Sequence, residues 1–263
     1  MKQKTVVMVL NNSDEKLFEA RIKDLINIAQ KNAVKRASNF LDPGEQQMAE
    51  YIAGKFPGIG FYFEGGYPEA ERRIMIVFPD YLEEQPFVPP LGALRVTPTG
   101  DHKHPGHRDY LGAILGLGIA REKTGDLLVG REHCDVILKE EVLEYIGLNL
   151  ARVGSVPVSV EEISIREISR PNAAFKEVKG TVASMRLDAV ASLAFGISRS
   201  KIAPYIKGEN LRVNFKTVKD PSTPVKEGDV ISAARLGRIK VIEVGGQSKK
   251  GRTFIKIHKY ASK

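Results

Sequence analysis

Apolar residues recur at helical spacing between Asp14 and Asn39, where Leu17, Ile22, Leu25, Ile26 and Ala29 fall on one stripe, and this spacing predicts a helix over that segment. The following stretch, LDPGEQQMAEYIAG, predicts a second helix. Asp42 stands at the N-cap, Pro43 at the first helical position, and Glu45, three residues after the cap, closes a capping box. GFYFEGGYPEAERRIMIVFPDY then reads as two strands, roughly 60–64 and 73–78, joined by a glycine-containing loop. Pro86, Pro89 and Pro90 mark a break. Residues 1–90 are therefore expected to form a helical region with a β-hairpin.

Beyond the break the period alternates. ALRVTP predicts a strand, 107–116 a helix, DLLV and CDVIL two strands, KEEVLEYIGLNLARVG a long amphipathic helix and VPVSVEEI a last strand. The order β-α-β-β-α-β is the split arrangement of ferredoxin-like domains and is assigned to residues 91–178, with a third domain over 179–263. The fold class is α+β. A superfold of this kind does not by itself identify a function.

Composition adds limits. The chain has 263 residues, 42% apolar and 27% charged, with neither internal repeat nor low-complexity tract, as ordinary globular chains do. One cysteine, Cys134, rules out an internal disulfide and a multi-thiolate zinc site. The apolar run Thr5 to Leu10 is too short for a signal-peptide core, and Leu111 to Ala120 is half a membrane span, so a cytoplasmic protein with no membrane partner is expected. The net charge of +8 is unevenly placed. Residues 181–263 carry 17 Lys and Arg against 6 Asp and Glu, whereas residues 1–180 carry 23 against 26. A basic excess confined to one segment is the pattern of a module that faces phosphate.

HRDYLGAILGLGIAREKTGD, residues 107–126, looks at first like enzyme chemistry. A kinase catalytic loop with Asp109 needs an Asn five residues on, where Ile114 stands, and the chain has no Asp-Phe-Gly. A dinucleotide fingerprint needs a third glycine where Arg121 stands, and a strand rather than a helix before the glycines. The structural expectation is that Gly112 and Gly116 allow close helix packing and Gly118 caps the helix end. His102, His104 and His107 cluster in a Gly- and Pro-rich run without a helical i, i+4 pair, so no metal site is assigned. No Gly-x-Ser-x-Gly elbow is present, and no cofactor is expected.

The C-terminal segment carries the most specific pattern, SMRLDAVASLAFGISRSKIAPYIKGENLRVN. Leu187, Val190, Ala191, Ala194 and Phe195 define a helix ended by Gly196, with Asp188 in its positive first turn; Ser198 caps a second helix to about Lys207; NLRVNFK enters a strand, and PVKEGDVISA supplies a turn and the next strand. Over 183 to about 240 this resembles the S-four RNA-binding domain. The resemblance implies phosphate contacts from Arg186, Arg199, Ser200, Lys201, Lys207 and Arg212, with Arg235, Arg238 and Lys240 on the strands that follow. Two features depart from the family pattern: Pro204 lies inside the second helix, and Glu209-Asn210 stand where a glycine is usual. FLDPGEQ, FEGGYPEAER and HRDYLGAILGLGIAREKTGD, followed by this domain, resemble the YlmH family of bacterial RNA-binding proteins. That resemblance implies structured ribosomal RNA and tRNA as ligands, association with the large ribosomal subunit and a role in rescuing stalled translation. Arg108, Arg121 and Lys123 are the cations of the middle signature and form an expected second RNA patch.

The middle sheet lacks stacking aromatics, so RNA is expected to be read by shape and phosphate, by a monomer without enzymatic activity. The alternative is an RNA-modifying enzyme of the pseudouridine-synthase kind, for which Arg186-Leu187-Asp188 would supply the catalytic aspartate. If about six phosphates are neutralised, log affinity against log salt should fall with a slope on the order of −4 to −5. A salt titration of binding to a structured RNA checks this, and a flat titration would contradict it.

Overall fold

The structure is a computed structural model that describes residues 12–100, 104–169, 175–248 and 251–260. These fall into two compact units, one spanning 12–169 and one spanning 175–260.

In the first unit, helix α1 (Asn12–Asn32) buries Ile22, Ile26 and Ala29. It stops well short of Asn39, because Ala33 turns left-handed at φ 50° and the Val34 amide closes back on the Ala29 carbonyl at 3.1 Å, a Schellman-type ending. The residues that follow, expected as helix, form strand β1 (Arg36–Leu41). Helix α2 (Pro43–Ala53) begins as the sequence predicts, with Asp42 and Glu45 closing both halves of the capping box. Strands β2 (Ile59–Glu64) and β3 (Arg73–Pro79) complete a three-stranded sheet of order β1-β3-β2.

Strand β3 is central and nearly continuously apolar because both its faces are covered. Met75 and Val77 pack under α1 and α2, while Ile74, Ile76 and Phe78 face the other way. What they face is the second sheet, built from β4 (Leu91–Pro98), β5 (Thr124–Val129), β6 (Cys134–Lys139), β7 (Arg152–Val153) and β8 (Val156–Ile163) in the order β5-β6-β4-β8-β7. Helices α3 (His107–Gly116) and α4 (Leu143–Asn149) cover its far side through Tyr110, Ile114, Leu143 and Ile146. The β4-α3-β5-β6-α4-β8 order with antiparallel pairing is the expected ferredoxin-like arrangement.

The expected boundary near residue 90 is crossed by a common core. Phe40, Ile74 and Ile76 from one sheet and Ala93, Leu128 and Ile137 from the other share one apolar cluster. At Gly125 a Cβ would sit 2.7 Å from the Phe40 ring, so this approach requires glycine. A polar seam reinforces the join. Asp126 of β5 accepts hydrogen bonds from the Tyr67 hydroxyl (2.8 Å) and the Glu71 and Arg72 amides (2.7 and 3.1 Å), and Arg72 donates to the Phe40 and Thr124 carbonyls. Two sequence signatures, FEGGYPEAER and the stretch ending in Asp126, thus meet in one network.

Two further expectations change. The long helix over 139–154 shrinks to α4, because Arg152–Val153 folds back through Gly154 onto Val156–Pro157 as a tight hairpin. Gly112 and Gly116 do not mediate close packing, since a Cβ at either would meet nothing, whereas Gly118 does follow the helix end with φ 84°.

The second unit comprises β9 (Phe175–Val182), α5 (Leu187–Phe195), α6 (Arg199–Lys207), β10 (Leu211–Val213), β11 (Lys216–Thr217), β12 (Val230–Ala233), β13 (Gly237–Gln247) and β14 (Thr253–Tyr260). Its sheet runs β11-β10-β12-β13-β14-β9. Leu187, Val190 and Ala194 of α5 and Ile202 and Ile206 of α6 pack on Leu211, Ile231, Ile239, Val241, Ile255 and Ile257. The expected domain boundary at 178/179 cuts through β9, which pairs with β14 over its whole length. A fragment of residues 172–263 should therefore melt cooperatively, whereas 183–263 should melt lower or aggregate, having lost Val178 and Val182 and exposed the β14 edge. Circular-dichroism melts with size-exclusion chromatography check this, and equal behaviour of the two fragments would contradict it.

Candidate nucleic-acid interface

Helix α6 buries Ile202 and Ile206, which turns Ser200, Lys201, Pro204 and Lys207 outward along one stripe. Pro204 does not end the helix. Its ring lies at an exposed position and the helix continues to Lys207. Ser198 stands at the N-cap, but its hydroxyl pairs with that of Ser200 at 3.0 Å rather than with a backbone amide. Lys201 and Lys207 have no carboxylate partner among the described residues, so their charges face solvent. Glu209 takes φ 61°, the left-handed conformation that glycine adopts freely, and its carboxylate is held by Lys219 at 2.8 Å.

Beside this stripe, Asp188 holds two arginines. Its carboxylate is only 8% exposed and accepts from Arg199 at 2.6 Å and Arg186 at 3.3 Å. Burial opposes its charge, but the hydrogen bonds from Arg199 and Arg186 outweigh it together and keep the carboxyl below its ordinary range. The Leu187 and Asp188 amides donate to the Thr223 and Pro221 carbonyls, so the first turn of α5 is occupied by protein. An aspartate with both oxygens engaged by arginines acts as an anchor for those two side chains.

The nine residues singled out in this segment do not form one patch. Arg186, Arg199, Ser200, Lys201 and Lys207 belong to the helical layer. Arg212, Arg238 and Lys240 alternate with the buried Leu211, Val213, Ile239 and Val241, which places them on the opposite face of the sheet. Arg235 lies in the β12–β13 turn with φ 64°.

The three cations of the middle signature are also separated. Arg108 is exposed at the start of α3, while Arg121 and Lys123 follow its end, a helix length of about 15 Å away. Arg121 donates to the Thr124 and Gly125 carbonyls, and burial lowers its pKa to about 10. Lys123 is bound by Glu141 at 2.6 Å and Asn39 at 2.8 Å. Both serve as internal ties, leaving Arg108 as the open cation of that set. His102 lies outside the described residues; among those described, no cluster of His, Cys, Asp or Glu could hold a metal. No described helix is long and apolar enough to cross a membrane.

Sequence reading missed a set of aromatic residues on the outer face of the sheet of the second unit. Phe254, Lys256, His258 and Tyr260 occupy every second position of β14 on this face, and Phe175 of β9 stands opposite Tyr260. The alternation in TFIKIHKY could have revealed them.

Comparison with known proteins agrees with this architecture. The family models that match are the YlmH RNA-binding domain at residues 102–167 and the S4 domain at 185–231. The ribosome-associated protein quality control protein P2 of Bacillus subtilis (strain 168) is 33% identical over 239 residues, which span 90% of this chain and 92% of that protein. A solved structure of the cell division protein ylmH from Streptococcus pneumoniae superposes with a TM-score of 0.52 at 20% identity, over 62% of this chain and 99% of that one, a likeness of fold.

Replacing Asp188 with Asn should cost about 1.5–3 kcal/mol, the range for hydrogen bonds to charged groups, rather than a fully buried pair's larger loss, because both arginines reach solvent. The folded carboxyl is held below its unfolded value, so its contribution is present above about pH 4 and is lost as pH falls through the folded pKa. Denaturant melts at neutral and acid pH should show a gap between wild type and Asp188→Asn that closes on acidification. A gap independent of pH would contradict this.

Proposed function

This chain belongs to the YlmH family of RNA-binding proteins, and from that premise we propose that it binds structured ribosomal RNA and tRNA at the large ribosomal subunit and acts in the rescue of stalled translation. The observation that carries this reading is the α6 stripe, in which Lys201 and Lys207 stand open to solvent beside Arg199 and Arg186, pre-positioned by Asp188. Such a surface meets phosphates and carries no sequence information of its own. The 33% identical Bacillus subtilis relative, a ribosome-associated protein quality control protein, supports the ribosomal setting.

In this reading the two units divide the work. Residues 175–260 supply most of the positive charge that meets RNA, and residues 12–169, in which 25 Asp and Glu outnumber 18 Lys and Arg, supply placement on the ribosome through shape and through the open Arg108. The protein works as a cytoplasmic monomer and performs no chemistry on its RNA.

Lys201→Ala and Arg199→Ala should each weaken binding to structured RNA across sequences and lower the salt slope by nearly one. The full chain should sediment with large subunits in a sucrose gradient, and residues 172–263 alone should do so less well. Unchanged affinity in both variants would show the binding face to lie elsewhere, and equal co-sedimentation of the fragment would remove the placement role of the first unit.

A further inference from the structure

The sheet of the second unit has one face under α5 and α6 and one face turned outward, and the outward face is neither uniformly polar nor uniformly charged. In register across it run Arg212 of β10, Ser232 of β12, Arg238 of β13, Tyr260 of β14 and Phe175 of β9. The next row holds Lys240, His258 and Glu177. Phe175 is 48% exposed and lies flat on the His258 ring, with centroids 3.6 Å apart and planes within 12°, while Tyr260 meets it edge-on at 6.4 Å. At the other end of the row, Phe215 sits under the Arg238 guanidinium at 5.5 Å.

Phe215 adds an independent indication. With Asn214 it forms the two-residue turn between β10 and β11, and both residues have positive φ, 47° and 67°. Turns of this kind favour glycine, and a bulky aromatic in the left-handed region is strained. Phe215 is half-buried but lies outside the apolar core of the unit, and strain held at such a position points to a use for the ring.

Rings that alternate with cations on an open sheet suit an extended polynucleotide. Each base can stack on an aromatic face while Lys and Arg meet the phosphates between. The charge favours such a partner. Lys240 and Arg212 have no carboxylate partner among the described residues, and the acidic Glu177 and Glu243 on this face are neutralised by Lys179 and Lys256, each at 2.8 Å. We propose that this outer face, with Phe175, Tyr260 and Phe215 as stacking rings and Arg238 and Lys240 as phosphate contacts, binds a single-stranded RNA segment through its unpaired bases. It rests on the RNA-binding reading and adds a second mode. The α6 stripe holds the backbone of structured RNA, and the opposite face of the sheet takes bases that are not paired.

The test uses the full chain with a labelled oligouridine of about ten nucleotides, within the usual site sizes, and separately a ribosomal RNA stem-loop. Phe175→Ala and Tyr260→Ala should each weaken oligouridine binding roughly tenfold, as loss of one stacking ring does, while stem-loop affinity changes by less than about twofold. Phe215→Gly should also weaken oligouridine binding yet melt no lower than wild type, because glycine accepts the turn's φ without strain, which separates a lost contact from a lost fold. The chain contains no tryptophan, so Tyr260→Trp gives a single reporter whose fluorescence should be quenched on stacking with bases. Unchanged oligouridine affinity in the aromatic variants, or no quenching at residue 260, would overturn the proposal while leaving stem-loop binding, and the function it supports, intact. Failure of wild type to bind either RNA would instead remove the RNA-binding reading itself.

Discussion

Strand alternation governs how the second unit can meet a partner. Leu211, Val213, Ile231, Ile239, Val241, Ile255 and Ile257 must all point one way to close a core under α5 and α6. Every intervening side chain is then forced onto the other face. A one-residue slip would bury Arg238 and Lys240 and expose Ile239 and Val241, so the apolar core fixes the register. Because the same register orders the exposed residues, the sheet presents cations and rings in rows rather than scattered. The helices add their own surface independently, since the buried pair Ile202 and Ile206 determines which residues of α6 face outward.

Asp188 illustrates how stability and function share one residue. A carboxylate at the start of α5 satisfies the helix dipole, but its placement under Arg186 and Arg199 also gives two flexible side chains a preferred direction. Arginine held in place loses less conformational freedom when it meets a phosphate than a free one does. In the first unit the charged residues are used inward. Arg72, Arg121 and Lys123 tie strands and loops together, and Asp126 gathers three donors. This agrees with the absence of a basic excess in that part of the chain, where 18 Lys and Arg face 25 Asp and Glu.

How far the sequence could be read depended on whether one period acted alone. The capping box at Asp42, the two strands around residue 75 and the ferredoxin-like order were legible because local chemistry and pattern agreed. Strand β1 was hidden behind α1, since RASNFL is short and its Phe40 and Leu41 are buried on opposite faces, leaving no alternation to detect. The apolar run through Leu150 and Val153 mimicked a longer helix, and only the hairpin pairing with β8 shows that it leaves helical geometry. The union of residues 12–90 with the middle sheet was not legible, because a strand buried on both faces shows apolar continuity but not its partner. For the site, the basic helix was visible as a motif, whereas its separation from Arg212, Arg238 and Lys240 follows only from sheet register. The aromatic row is present as an alternation in β14, but with Lys256 among its outward residues it reads as an ordinary half-buried strand until the pairing with β9 brings Phe175 beside Tyr260.

The most direct test of the account is to map where RNA touches the protein. Ultraviolet cross-linking of the full chain to ribosomal RNA, followed by mass spectrometry of the cross-linked peptides, should yield adducts in the peptides containing residues 199–207 and 253–260. Cross-links confined to residues 12–169 would contradict the assignment of RNA contact to the C-terminal unit.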